Sequence, residues 1–347
     1  MNFTYKWNLK DLEKVTKNGY KVFSFFAGGG GSSQGYKMAG YDVIGCNEID
    51  PRQMEIYVHN LKPKYHYLED IRTFRMREDL PGELYELDIL DASFPCSLFS
   101  SANLKADDKK GKEVKFREGQ VSQTLDDLAF ETIKLVDKLK PKICVFENVK
   151  GLLNEKNKWY VEQIYKQFDD IGYKICHHLI NCADLGVPQK RERVFFVATR
   201  KDIQFPNLVL NFNETPIKYG EIKDSKYKPL GKDTMIYHRW KKRVKSDSNL
   251  GDTVKRTENG KISSFNTQYL KDDRVPNTIA AGGSLPVRFD VPGYATERDI
   301  KIIQTFPQDY DFLGSNVQYI CGMSVPPIMM KKISEQVKIQ LLDKLLK

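Results

Sequence analysis

An α/β fold, with a mostly parallel sheet and a second, smaller domain, is predicted by three features of this 347-residue chain. First, a β-rich run, Lys21–Phe26, leads into the glycine turn Ala27–Gly31, a short helix and a second strand, Tyr41–Asn47. Second, Ile143–Phe146 is continuously apolar, as strands are when a parallel sheet is covered on both faces. Third, the composition shifts in the middle of the chain. Residues 201–275 hold 16 Lys and Arg against 10 Asp and Glu, most of the net charge of +9 in about a fifth of the length.

Hydrophobic residues make up 40% of the chain and aromatics 12%, enough for a core, and charge is spread throughout, so disorder is excluded. A pI near 9.0 points to a polyanionic partner. Six cysteines, at 46, 96, 144, 176, 182 and 321, form neither a CxxC pair nor a disulfide framework. Cys176-His177-His178 with Cys182 resembles a metal cluster, but Tyr173–Ile180 reads as a strand, which turns His177 and His178 to opposite faces. No metal is therefore expected. The chain has neither an apolar leader nor a span of membrane length, and a reducing cytoplasm is the simplest compartment.

In order, residues 3–18 carry Leu9, Leu12 and Val15 at helical spacing and stop at Asn18-Gly19. After the glycine turn, Ser32 or Ser33 can cap a helix that ends near Gly40. The second strand ends at Glu48, about 20 residues after the turn, which is the logic of a nucleotide-ribose site. The turn satisfies neither G-x-G-x-x-G nor a P-loop. A ligand with an adenosine but no pyrophosphate fits such a turn, and S-adenosylmethionine is one. Asp70 ends a third short segment, where it serves as an adenine contact or a turn residue.

Leu87–Ala92 reads as a buried strand, followed by Ser93-Phe94-Pro95-Cys96-Ser97. A thiol at a strand tip lies where open α/β sheets hold their ligands. The polar stretch 97–124 that follows is long enough to be a lid. A helix is expected over Leu125–Leu139, stopped by Pro141. From Pro326 a final helix carries Ile333, Val337, Leu341 and Leu345, and is expected to return to the first domain.

Six motifs now stand in order. They are Phe-Ala-Gly-x-Gly-Gly at 26–31, Asn-Glu at 47–48, Phe-Pro-Cys at 94–96, Glu-Asn-Val at 147–149, Val-Pro-Gln-x-Arg-x-Arg at 187–193 and Gly-x-Ser-Val-Pro-Pro at 322–327. In these the chain resembles the DNA cytosine-5 methyltransferases over nearly all its length except about 201–275. It departs from the family pattern at Ser24, usually Asp; at Ala92-Ser93, usually Gly-Gly; at Ser97, often Gln; and at Met323, usually Asn.

The resemblance implies a Rossmann-like S-adenosylmethionine-dependent methyltransferase domain at 1–201. It further implies a target-recognition domain at 202–295, a hinge at 296–317 and a returning C-terminal helix at 318–347. It implies Cys96 as the nucleophile on cytosine C6, Glu147 as the group that protonates N3, Arg193 as the stabiliser of O2, and Arg191 as support for the nucleophile or a phosphate. Phe26, Ala27, Gly28, Gly30, Gly31, Glu48, Ile49, Asp70, Ile71, Pro95, Leu128 and Ser324 would line the cofactor site. Phe26 would stack on adenine and Glu48 would hold the ribose. Double-stranded DNA would be the partner, met by Gln189 and by the basic cluster Arg239, Lys241, Lys242 and Arg243. A companion restriction endonuclease is a further implied partner. Two other readings stay open at this point: the same chemistry on transfer RNA, and a catalytically silent DNA-binding relative. A nicotinamide oxidoreductase is disfavoured by the failed glycine fingerprint.

Overall fold

Seven strands build the main sheet: β1 (Lys21–Phe25), β2 (Asp42–Glu48), β3 (Tyr65–Leu68), β4 (Ile89–Ala92), β5 (Ile143–Val149), β6 (Tyr173–Asn181) and β7 (Glu192–Arg200). They appear in a computed structural model that describes residues 3–95, 127–258 and 267–345. Their order is β3-β2-β1-β4-β5-β7-β6. All neighbours are parallel except β7, which runs against both β5 and β6. The chain winds outward from β1 to β3, then crosses back to β4 and continues the other way. This reversal opens a crevice at the carboxyl ends of β1 and β4, where such sheets bind ligands.

Five helices cover this half: α1 (Gly31–Met38), α2 (Pro51–Leu61), α3 (Ile71–Met76), α4 (Leu128–Leu139) and α5 (Lys158–Asp170). Successive strand residues face opposite sides of a sheet. Thus Phe23, Phe25, Leu90, Ala92, Cys144 and Phe146 join the core beneath α3, α4 and α5. Val22, Ile89, Ile143 and Val145 join the core on the side of α1. The same alternation turns Ser24 and Asp91 to the α1 side, where each is buried.

The middle of the chain forms a smaller unit with α6 (Tyr219–Ile222), α7 (Met235–Lys241) and α8 (Leu250–Glu258). Its strands β8 (Lys228–Pro229), β9 (Tyr269–Leu270), β10 (Val287–Arg288) and β11 (Gly293–Tyr294) pair in the order β8-β11-β10-β9. Leu230, Trp240, Leu250, Tyr269 and Val287 are its own core. Next come α9 (Glu297–Ile303), α10 (Val317–Met323) and α11 (Pro327–Gln340). The segment expected as a hinge carries α9, whose buried Asp299 pairs with Arg288 of β10 at 2.9 Å.

Helix α11 returns to the first unit, as its apolar spacing suggests. It lies so close to α1 that a Cβ on Gly35 would stand 2.5 Å from Met330 Cβ. Tyr41 also donates its hydroxyl to the Ser334 carbonyl at 2.9 Å. Among the described residues no helix is long and apolar enough to cross a membrane.

Two local expectations change, and a third falls partly outside the described residues. Residues 3–18 hold only a short 3₁₀ turn, Leu9–Lys14, because the segment is secured by burial of Phe3 and Trp7 and by the Trp7 indole donating to the Thr305 carbonyl. Helix α1 begins after Gly30 (φ 72°), with no serine cap, because Ser33 Oγ instead accepts from the Tyr57 hydroxyl. Helix α4 begins at Leu128; the expected start at Leu125 lies outside the described residues.

Candidate active site

The glycine turn at the end of β1 opens on Phe26, whose φ of 53° is unusual for a residue with a Cβ. Strain of this kind gathers where a ligand is held. The turn is pressed against the last motif: a Cβ on Gly31 would lie 2.1 Å from the Val325 carbonyl oxygen. Bare backbone at this point is therefore a steric requirement. Between the turn, the end of β2, the end of β4 and the residues after α10 lies a cleft. It is lined by the expected Phe26, Ala27, Gly28, Gly31, Glu48, Ile49, Pro95 and Ser324.

Glu48 sits at the rim in a cage of backbone donors. Its Oε2 accepts from Gly28 N at 2.8 Å, and its Oε1 from Ile49 N at 2.8 Å and Asp50 N at 2.9 Å. Burial raises its carboxyl above the ordinary value, and these backbone bonds oppose the rise. The cage fixes the carboxylate in position.

Four expected cofactor residues do not line the cleft. A Cβ on Gly30 would meet Leu61 and Tyr57, so this glycine faces α2 instead. Asp70 is the N-cap of α3 and pairs with Arg72 at 2.9 Å, so local capping and pairing use its oxygens. Ile71 and Leu128 are buried in the α3–α4 core.

On the catalytic side, Glu147 near the end of β5 meets Arg193 of β7 across the antiparallel pair, Nε to Oε1, at 3.0 Å. Both side chains are largely buried. Asn148 beside them donates to the Phe94 carbonyl at 3.2 Å, tying β5 to the segment after β4. Cys96 and the 97–124 stretch lie outside the described residues.

The Arg191 guanidinium is buried and donates to the carbonyls of Ile279, Gly322 and Ser324, at 3.3, 3.0 and 3.0 Å. It ties the sixth-to-seventh strand turn to the last motif, and Cys96, which it is expected to support, lies outside the described residues. Gln189 is placed differently from expectation. It is fully buried, donating to Ile303 O and Gln304 Oε1 and accepting from Ile279 N, so it offers no group to DNA.

The basic cluster on α7 divides. Arg239 pairs with Glu258 at 2.9 Å, and Arg243 stacks 3.3 Å over the Trp240 ring while donating to the Phe289 carbonyl. Lys241 and Lys242 are exposed. An aromatic beside a cation stabilises it by packing as well as charge, which explains why Arg243 belongs to the small core's edge.

The chain matches the C-5 cytosine-specific DNA methylase family model over residues 20–339. It belongs to that family. Among its relatives, the Type II methyltransferase M.FnuDI of Fusobacterium nucleatum is 29% identical, over 93% of this chain and 96% of that one. The Type II methyltransferase M.MspI of Moraxella sp. is 24% identical over 96% and 74%. In fold, the chain is similar to a variant of Spodoptera frugiperda DNMT2, with a TM-score of 0.64, 14% identity and coverage of 92% and 99%. This DNA cytosine-5 methyltransferase thus has the Rossmann-like fold of S-adenosylmethionine-dependent methyltransferases.

The cleft of the methyltransferase is also lined by residues outside the expected cofactor contacts: Ser32, Gln53 and Asp91, together with Ser24, Ser93, Met323 and Val325 from the motif positions. Gln53 could be found only in three dimensions, because it reaches the turn from α2. Asp91 did leave a signal: it is an acid inside an otherwise apolar strand, with no charged neighbour in sequence to pair with it.

Proposed function

We propose that this methyltransferase transfers a methyl group to C5 of a flipped-out cytosine, within a specific double-stranded DNA sequence, through a covalent bond between Cys96 and C6. The observation that carries this reading is the Glu147–Arg193 pair at 3.0 Å, adjoining a cleft whose wall runs to Pro95, the residue before Cys96. The cofactor cleft also fits S-adenosylmethionine. It pairs an aromatic, Phe26, with a fixed acid, Glu48, and it buries polar atoms without hydrogen-bond partners, Gln53 Oε1 and Asp91 Oδ1. Phe26 and Ile49 would flank the adenine, Glu48 would take the ribose hydroxyls, and the Gly28–Gly31 backbone would leave room for the chain that joins them. When bound, S-adenosylmethionine supplies an electrophilic methyl group.

The protein's own part is to activate the ring. The Cys96 thiolate adds to C6, forming an S–C bond, and the displaced electron pair accumulates over C5, N3 and O2. With the cytosine in place, a proton carried in on Glu147 passes to N3, and Arg193 faces the charge on O2. C5 is then nucleophilic enough to be methylated. Afterwards a base removes the C5 proton, the C6–S bond breaks, N3 returns its proton to Glu147 and Cys96 leaves as the thiolate. None of these atoms is reachable inside a duplex, so the nucleotide must be extruded, at a cost of about a few kcal/mol.

The unit at 202–295 is proposed to recognise the target. With Arg239 and Arg243 engaged internally, Lys241 and Lys242 are the cluster's phosphate-binding groups. Replacing both with glutamine should weaken binding to all DNA and lower the log–log salt slope by about 0.9 for each phosphate no longer neutralised. Replacing Arg239 and Arg243 should mainly destabilise the small unit. An unchanged slope for the double lysine variant, measured by titration at several salt concentrations, would refute the assignment. The Type II names of the relatives support a companion endonuclease for this chain, acting on the same site.

Bisulfite sequencing of DNA from cells expressing the chain tests the function as a whole. One short sequence with its cytosine protected is expected, and protection should vanish in a Cys96→Ser strain. Uniformly unprotected DNA would overturn the reading.

A further inference from the structure

The polar side chains of the cleft are partnered unevenly. Asp91, 1% exposed, points from β4 into the cleft beside Ser93. Its Oδ2 accepts from Ser24 Oγ at 2.8 Å, across a β1–β4 register that sets Ser24 opposite Asp91. Its Oδ1 makes no hydrogen bond of normal geometry; the Tyr36 hydroxyl is near enough to lower the carboxyl but does not complete it. Among the described residues, no lysine or arginine forms an ion pair with it. A buried carboxylate oxygen left without a donor costs free energy, and it is retained where a ligand completes it.

The surroundings identify that ligand group. Ionisable groups near Asp91 are Glu147 on β5, Tyr36 on α1 and Tyr57 on α2, with Glu48 across the same cleft. All are acidic or neutral, so the position selects a cation. The cation must also donate hydrogen bonds, because Oδ1 lacks a donor. A sulfonium has no N–H or O–H, whereas an ammonium has three. With Glu48 at the ribose end of the cleft, Asp91 lies at the amino-acid end. We propose that Asp91, oriented by Ser24, is the positioning residue that binds the ammonium of the methionyl half of S-adenosylmethionine. This rests on the reading of the cleft as the cofactor site.

The ionisation of Asp91 follows the same logic. Burial pushes its carboxyl up to about 7, Glu147 adds to the push, and the Ser24 and Tyr36 hydroxyls oppose it. Without ligand, the cost of ionising it weighs on the folded state increasingly as pH rises from the ordinary carboxylate range through about 7. An ammonium binds the ionised form. Affinity should therefore rise with pH and level off above about 7.

Calorimetry with two cofactor analogues on the full-length protein tests this. S-Adenosylhomocysteine carries the ammonium but no sulfonium; methylthioadenosine lacks the α-ammonium and α-carboxylate of the amino-acid half. In the wild type, S-adenosylhomocysteine should bind about tenfold more weakly near pH 6 than near pH 8, with methylthioadenosine unaffected. Asp91→Asn should weaken S-adenosylhomocysteine by about 10- to 100-fold and methylthioadenosine by less than about twofold. Ser24→Ala should give a smaller loss of the same selectivity. Equal losses for both analogues, or a pH-independent wild type, would overturn the role of Asp91. The wild-type pH arm stands even if Asp91→Asn does not fold. Failure of the wild type to bind either analogue would instead overturn the cofactor reading of the cleft.

Discussion

Cys96→Ser should abolish methylation while DNA binding persists. A free thiol is already a few per cent thiolate at neutral pH and is intrinsically nucleophilic; a serine hydroxyl is neither. The substitution removes one atom's chemistry and leaves Lys241, Lys242 and the cleft untouched. Single-turnover assays should detect no product, and gel-shift titration should give an affinity within about threefold of wild type. DNA carrying 5-fluorocytosine should trap the wild-type protein covalently, because fluorine cannot leave C5 as a proton does. Mass spectrometry should place the adduct on Cys96. An adduct on another cysteine would refute the mechanism, and Cys46, Cys144, Cys182 and Cys321 offer a contrast. Burial raises all four thiols, which makes them poor nucleophiles.

Glu147→Gln should slow the chemical step by about 10²- to 10⁴-fold, the usual worth of general acid help. The amide keeps the shape beside Arg193 but has no acidic proton for N3. Binding of S-adenosylhomocysteine near pH 8 should be unchanged, since Glu147 lies outside the cofactor cleft's lining. A second consequence separates a chemical role from a structural one. The negative charge of Glu147 helps raise Asp91, so its removal should move the midpoint of the S-adenosylhomocysteine pH profile downward. Loss of cofactor affinity at all pH values, with chemistry intact once saturated, would assign Glu147 to the cofactor instead.

Much of this was legible in one dimension because its causes are local. Continuous apolar runs mark strands whose side chains are all buried, and Ile143–Phe146 is buried throughout. A glycine turn between two such strands has few uses, and the acid after the second strand narrows them to a nucleoside. The caged Glu48 and Phe26, with its positive φ, both line the cleft.

Partners distant in sequence were not legible. Gln189 belongs to a motif that reads as functional, yet in the fold it is buried and bonded to Ile279, Ile303 and Gln304. Arg191 of the same motif binds carbonyls of Ile279, Gly322 and Ser324, residues equally far away in sequence. Arg239 and Arg243 look like free charge in sequence, but Glu258 and Trp240 engage them.

By itself, then, the sequence determined the strand–turn–helix frame, the family and the chemical types at the site. These depend on residue identity and on short spacings. The tertiary structure alone decided which polar groups are used up within the protein and which are left for a ligand. Whether a donor has an acceptor depends on which distant segments meet, and periodicity along the chain carries no record of that. Ser24 and Asp91 are 67 residues apart and form one hydrogen bond because β1 and β4 lie side by side at the sheet's reversal.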